Sequence, residues 1–252
     1  MAKTNKFLLA LTLGLFASLS ATADTIALQG FSGYNVNGNI ALSGGTNYHT
    51  GATSVSFSQY AGVGGFTTID TTTNTTFQSW CVDIFHDFSW GNPGSTVDTL
   101  VSATSLFGSA KSNELGSLYT IYAKNLSANN SSTMNPAFQL AVWAIVNAPI
   151  GTNPSITGAG SVFTASTGTA ADQQATELLS QIGTTQSQYS ASVWSVNGNS
   201  FPVGSAATSW GAQDVVVFSP VAAVPEPETY AMLLAGLGLI GAAVKRRKAK
   251  QA

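Results

Sequence analysis

Charge is scarce in this chain, and cysteine is nearly absent from it. Only 8% of the 252 residues are Asp, Glu, Lys or Arg, against roughly 25% in an ordinary soluble domain. The single cysteine excludes an intramolecular disulfide and a zinc site built from several thiolates. A formal net charge of −2 argues against a basic nucleic-acid surface. Hydrophobic residues make up 44% of the chain, which indicates a folded core rather than disorder.

The few charged residues are unevenly distributed. Five of the nine basic residues lie within the last eight positions, and two more lie near the N-terminus. Between Asp24 and Val224 the only basic residues are Lys111 and Lys124, whereas nine residues there are acidic. The middle of the chain is therefore an acidic domain between two basic ends, and it is not expected to bind nucleic acid or anionic lipid directly.

The N-terminus has the pattern of a secretory signal peptide. Two lysines precede the apolar run FLLALTLGLFA, and the small residues Ala21 and Ala23 follow it as an A-x-A site. This arrangement predicts export through a translocon and cleavage after Ala23. The alternative is an N-terminal helix that is retained and buried.

The C-terminus has three features in a fixed order. Pro225, Glu226 and Pro227 are followed by an uncharged stretch over 230–244, and then by the basic residues Lys245, Arg246, Arg247 and Lys248. The uncharged stretch would be about 22 Å long as a helix, somewhat short of a hydrocarbon core of about 30 Å. The basic cluster is expected to stay cytoplasmic and to leave the bulk of the protein outside.

This order closely resembles the PEP-CTERM sorting domain. The resemblance implies recognition by an exosortase, a membrane-embedded protease of Gram-negative bacteria that export polysaccharide. It also implies an inner-membrane-anchored precursor that is cleaved near the PEP motif and then passes to the cell surface or extracellular matrix. A plain C-terminal membrane anchor is the alternative.

The pattern of the chain predicts an α+β fold: a β-rich, barrel-like or sandwich-like ectodomain with a few inserted helices. Strands are predicted over 53–57, 76–85, 192–196 and 214–218, helices over 114–125, 135–147 and 172–182, and a long loop over 148–170. Asn135 is predicted to cap the second helix, with Pro136 in its first turn. The predicted segments are a signal peptide 1–23, ectodomain 24–218, linker with the PEP motif 219–229, short transmembrane helix 230–244 and basic cytoplasmic tail 245–252.

Two residues of the ectodomain are candidates for chemistry. Cys81, in the sequence WCVD, is either a buried small hydrophobe or a reactive thiol. Gln139 is the only polar side chain between Ala137 and Val146, in a helix that is apolar nearly all round. Because a buried amide without a partner costs a few kcal/mol, Gln139 is expected to have one.

The strand WCVD followed by the helix FQLAVW resembles the bacterial thioester domains of surface adhesins. The resemblance implies an internal thioester between Cys81 and Gln139 that reacts with amines or hydroxyls on a host or cell surface. Phe138 stands where that family commonly has Thr. The alternative is a buried free thiol with Gln139 bonded to backbone.

The remaining chemistry-bearing residues give weaker patterns. Asp83, His86 and Asp87 could be read as metal ligands, with His49 as a second imidazole, but a solvated loop edge is favoured and no metal or cofactor is predicted. No acid–base pair supports an enzyme. The sequence predicts a non-catalytic structural or adhesive protein in a biofilm or exopolysaccharide context, and the covalent adhesin is the alternative.

Overall fold

A computed structural model describes most of the ectodomain and a few C-terminal residues. The described residues are 23–48, 52–86, 90–91, 98–125, 131–158, 161–196, 213–221, 232, 234–237 and 239–240. Ala21, the PEP motif at 225–227, the basic residues 245–248, His49 and Asp87 lie outside them. The chain divides into two compact units, residues 1–219 and residues 220–252.

The described residues up to Pro220 form ten strands, three α-helices and one short 3₁₀ helix, Ile182–Thr184. The strands are β1 Ala23–Asp24, β2 Ile26–Phe31, β3 Val36–Gly45, β4 Val55–Val63, β5 Phe66–Asp70, β6 Thr75–Cys81, β7 Asp98–Ser102, β8 Phe163–Ser166, β9 Tyr189–Val196 and β10 Val215–Pro220. The helices are α1 Ala103–Asn125, α2 Ser131–Asn147 and α3 Ala170–Gln181. The predicted α+β class is confirmed.

The larger sheet curls round until its two edges meet. Its strand order is β1-β7-β9-β10-β6-β5-β2. The edge strands β1 and β2 are separated in the chain by Thr25 alone, so one extended stretch pairs with β7 at its start and with β5 further along. A second sheet of three strands has the order β4-β3-β8.

The helices lie where apolar residues recur with helical spacing, but their ends differ from those predicted. Helix α1 begins at Ala103, eleven residues earlier than predicted, and is kinked at Gly108, where φ is +83°. Helix α2 begins at Ser131, so the prediction that Asn135 caps it is wrong. The Asn135 side chain instead accepts from Gly65 N at 3.2 Å and donates to Ser32 O at 2.8 Å. Tertiary partners therefore replace the predicted local cap.

Two other sequence-based boundaries are also corrected. Strand β6 ends at Cys81 rather than continuing to residue 85. The chain turns there because Asp83 Oδ1 accepts a hydrogen bond from Phe85 N at 2.9 Å, which closes a local turn. The predicted loop 148–170 contains strand β8, which pairs with β3 in the second sheet.

Helix α2 lies at the centre of the core. Its residues from Met134 to Asn147 are all buried. Trp80 and Phe138 pack with ring centroids 4.7 Å apart, and Tyr122 lies 4.4 Å from Phe138. This aromatic packing holds the end of β6 against the middle of α2 and so positions the candidate site.

Beyond the end of β10 the second unit is described only at a few positions, and the described residues within 232–240 are helical. Met232, Leu234, Leu237, Leu239 and Ile240 are more than half exposed there. Among the described residues, no helix has both the length and the apolar character needed to cross a membrane.

Candidate functional site: the Cys81–Gln139 pair

Two side chains that are 58 residues apart in sequence meet in the core. Cys81 N donates to Gln139 Oε1 at 3.0 Å, and Gln139 Nε2 donates to Cys81 O at 2.7 Å. Cys81 is 1% exposed and Gln139 is fully buried. The partner that the buried amide needs is thus the backbone of the residue that carries the thiol.

The sheet topology explains why the Cys81 backbone is available to a side chain. The β5–β6 ladder ends at the pair Phe66↔Ser79, two residues before Cys81. On its other side β6 pairs with β10 through Val215↔Cys81, and Val82 N donates to Asp214 O at 3.0 Å. The Gln139 amide therefore occupies the place where the neighbouring strand would have continued.

The Cys81 thiol is held in its protonated form. Burial raises its pKa well above the ordinary value, and the nearby negative charge of Asp83 raises it further. The Cys81 thiol donates to Asp83 O at 3.0 Å. The Trp143 indole N–H has no hydrogen-bond partner of normal geometry among the described residues. It acts as a weak donor to the thiol and so offsets a part of the rise in its pKa.

Asp83 and His86 are buried, which contradicts the favoured prediction of a solvated loop edge. Asp83 is fully buried and His86 is 7% exposed. The Asp83 carboxylate contacts His86 Nδ1, and Gln213 Nε2 donates to the carbonyl oxygens of both residues, at 3.1 and 3.2 Å. The turn after Cys81 is therefore fixed by a network of buried hydrogen bonds.

A cluster of three polar side chains lies near Cys81 and was not predicted from the sequence. Tyr48 OH and Ser195 Oγ both donate to Asp214 Oδ2, at 3.1 and 2.8 Å. Burial raises the pKa of Tyr48 strongly, and the charges of Asp214 and Asp83 add to the effect. The three residues come from distant parts of the chain, so no local pattern could have brought them together.

Of the predicted site residues that the structure describes, Cys81 and Gln139 are in contact. Ala23, the residue before the predicted cleavage point, lies elsewhere, in β1 opposite Thr99. Within the described residues, no three His, Cys, Asp or Glu side chains form a group that could hold a metal ion. The arrangement places a carboxamide against the backbone of the residue that bears the thiol, in a place that water does not reach.

Two comparisons with known proteins gave a match, one of a family model and one of a solved structure. Residues 223–248 match the family model described as the PEP-CTERM protein-sorting motif, so the predicted sorting signal is confirmed. The motif implies an exported, membrane-anchored precursor that is processed by an exosortase.

Among solved structures, the chain is similar to the N-terminal thioester domain of a surface protein from Clostridium perfringens, in a cysteine-to-alanine mutant. The identity is 9% and the TM-score 0.38, and the match covers 73% of this chain and 99% of that one. No curated protein matches this chain.

Proposed function

We propose that this protein is an exported adhesive protein that attaches covalently to its target through an internal thioester between Cys81 and Gln139. Its β-rich, barrel-like ectodomain presents the thioester after release from the membrane of a Gram-negative cell. The target carries an amine or a hydroxyl on a cell surface or in the extracellular matrix. The export translocon and the exosortase are the processing partners.

The contact between Cys81 and Gln139 carries this proposal. Both backbone hydrogen bonds of the Gln139 amide go to residue 81, at 3.0 and 2.7 Å, so its carbonyl carbon lies beside the residue that bears the nucleophilic sulfur. Holding two reacting groups together in this way replaces an encounter in solution by an intramolecular step.

The reaction needs no group beyond these two side chains. Cys81 Sγ attacks Gln139 Cδ, the C–N bond breaks, and ammonia leaves with the thiol proton. An amine or hydroxyl of the target later attacks the same carbon, and the C–S bond breaks. The target is then joined through an amide or ester, and the Cys81 thiol is restored.

The surroundings of the pair support a thioester that survives until its target arrives. Complete burial of Gln139 keeps water from the acyl carbon. The raised pKa of the Cys81 thiol makes it a poorer leaving group, and a thiol of higher pKa leaves more slowly. Both effects slow hydrolysis.

The C-terminal unit supports the sorting part of the proposal. Among its described helical residues, five large apolar side chains are more than half exposed to solvent. A helix with such a surface is expected to enter a membrane or an apolar groove of the processing enzyme. We propose that residues 230–244 form a short transmembrane helix whose basic end is cytoplasmic.

A second candidate is a non-covalent protein of the exopolysaccharide or biofilm matrix. A cleft of about 440 Å³ is lined by Phe77, Tyr119, Trp194 and Phe218 together with polar side chains such as Gln78. Aromatic faces beside hydrogen-bonding groups suit an uncharged sugar. In this case the two hydrogen bonds of Gln139 serve stability alone.

The intact mass of the exported chain decides between the two candidates. Loss of ammonia on acylation lowers the mass by about 17 Da, and methylamine should then add at Gln139 and expose Cys81 to alkylation. The matched control is Cys81→Ala, which should show the calculated mass and no adduct. A wild-type mass equal to the calculated value, with no methylamine adduct, would exclude the thioester and leave polysaccharide binding to be tested with Phe218→Ala.

A further inference from the structure

One buried carboxyl group of the ectodomain lacks a counter-charge. Asp98, the first residue of β7, is 1% exposed. Its Oδ2 accepts a hydrogen bond from Ile26 N at 3.2 Å, whereas its Oδ1 is buried without a hydrogen-bond partner among the described residues. An unpaired buried carboxylate is costly and calls for a donor or a cation.

The charged groups that act on Asp98 are negative. Burial raises its pKa to about 7, the hydrogen bond from Ile26 N opposes this, and the charges of Asp214 and Asp24 raise the pKa further. Asp24 also contacts Asp70, whose carboxylate accepts hydrogen bonds from the neighbouring threonines. Negative charge therefore accumulates at the start of the ectodomain.

The two basic side chains of the ectodomain are engaged elsewhere or do not act on this group. Lys111 Nζ donates to Val146 O at 2.6 Å, and its charge acts on Glu114. Lys124 lies in the last turn of α1. Neither is among the groups that influence the pKa of Asp98.

Export creates a new cation directly opposite this carboxyl group. Cleavage after Ala23 would leave the α-ammonium on Asp24, and the strand register pairs Asp24 with Asp98. Two residues of a strand span about 7 Å, so the nitrogen of Asp24 lies only that far from Ile26 N, which already touches the carboxylate. A small movement of the freed end closes the distance.

We propose that Asp98 binds the α-ammonium group of Asp24 in the exported chain, so that removal of the signal peptide completes the ectodomain. The proposal rests on the predicted export signal and on cleavage after Ala23, and it is independent of the thioester. In the precursor, the backbone nitrogen of Asp24 is an uncharged amide and Asp98 stays unpaired. The folded state of the precursor is then weaker, which suits a chain that must cross a membrane unfolded.

The test compares four forms of the chain over residues 24–252 in detergent: the native chain, the chain extended by two glycines before Asp24, and Asp98→Asn with each of these two N-termini. Urea unfolding at pH 7.5 should show an unfolding constant at least about tenfold larger for the extended chain, because each unit of pKa shift corresponds to a factor of ten. In Asp98→Asn the extension should make no difference. Equal stabilities in the native and extended chains, or a difference that persists in Asp98→Asn, would overturn the proposal.

Two further measurements keep the proposal decidable. The intact mass of the exported chain must correspond to a start at Asp24, and a different start would overturn it whatever the state of Cys81. If Asp98→Asn fails to fold, acetylation of the native N-terminus is followed against pH instead. The pKa of the α-amine should lie above its ordinary value of about 8, and an ordinary value would refute the ion pair.

Discussion

Replacing Gln139 by leucine should destabilise the ectodomain even when no thioester can form. The change is made in a Cys81→Ala background, where acylation is impossible but the backbone of residue 81 is unaltered. Leucine is close to glutamine in volume, so no large cavity or overlap is introduced. The substitution therefore removes chiefly the two hydrogen bonds of the amide.

The magnitude follows from the two backbone groups that lose their partners. Residue 81 N–H and C=O bond to Gln139 at 3.0 and 2.7 Å, in a place that water does not reach. An orphaned buried group costs about 1–3 kcal/mol, so the loss should be about 2–6 kcal/mol. That is a large part of a typical total of about 5–15 kcal/mol.

Urea unfolding followed by tryptophan fluorescence measures the change as a shift of the midpoint at constant slope. Gln173→Leu is the matched control, because Gln173 lies exposed on α3, where it bonds Glu177 Oε1 at 3.0 Å. Its replacement should cost less than about 0.5 kcal/mol. If Gln139→Leu costs as little as this control, the reciprocal hydrogen bonds are not a structural element of the core.

Three further outcomes are expected. In a chain without the thioester, Cys81 should react with iodoacetamide only after denaturation, because it is 1% exposed and burial raises its pKa. Mass spectrometry measures the labelling, and rapid labelling of the folded chain would contradict this. Gly116→Ala should unfold the domain or cost more than about 3 kcal/mol, because a Cβ there would lie 2.2 Å from Tyr189 O, whereas Gly183→Ala, with open space around it, should be nearly neutral by thermal unfolding. In a chain that retains residues before Asp24, the free energy of unfolding should fall by up to about 4 kcal/mol between pH 4 and 7. The pKa of Asp98 is raised to about 7 in the folded chain, so across this range Asp98 is ionised mainly in the unfolded chain. Asp98→Asn should remove this slope in pH-dependent urea titrations.

Several features could be predicted from local pattern alone. The strand over 192–196 and the helix over 172–182 appear as β9 and α3 with small shifts at their ends. The apolar helix indicated that the buried Gln139 amide needs a partner, whereas a pairing with Cys81 was implied only by the resemblance of two short motifs to thioester domains. The hydrogen-bond geometry of this pair, in which the amide continues a strand ladder, depends on where β5 begins, at Phe66, and had no local signal.

Predictions about polar residues were less reliable, because their partners are distant in sequence. Asn135 has the side chain and the following proline of a helix cap, yet it lies inside α2 and bonds to Gly65 and Ser32. Asp83 and His86 resemble a solvated loop by composition, yet both are buried by the turn after β6. Local propensity is a weak guide wherever a tertiary contact offers a better partner.

By itself, the sequence determined the sorting signal of this protein and the periodic pattern of apolar residues that builds its core. The sorting motif over 223–248 is read by composition and order along the chain, and strand and helix periods follow from which residues are apolar. Only the tertiary structure decided which groups meet: the amide of Gln139 with the backbone of Cys81, Tyr48 with Asp214, and Asp98 with the residue that export would make the N-terminus. Such pairings depend on sheet register and helix packing, where a shift of one residue would turn each side chain to the opposite face.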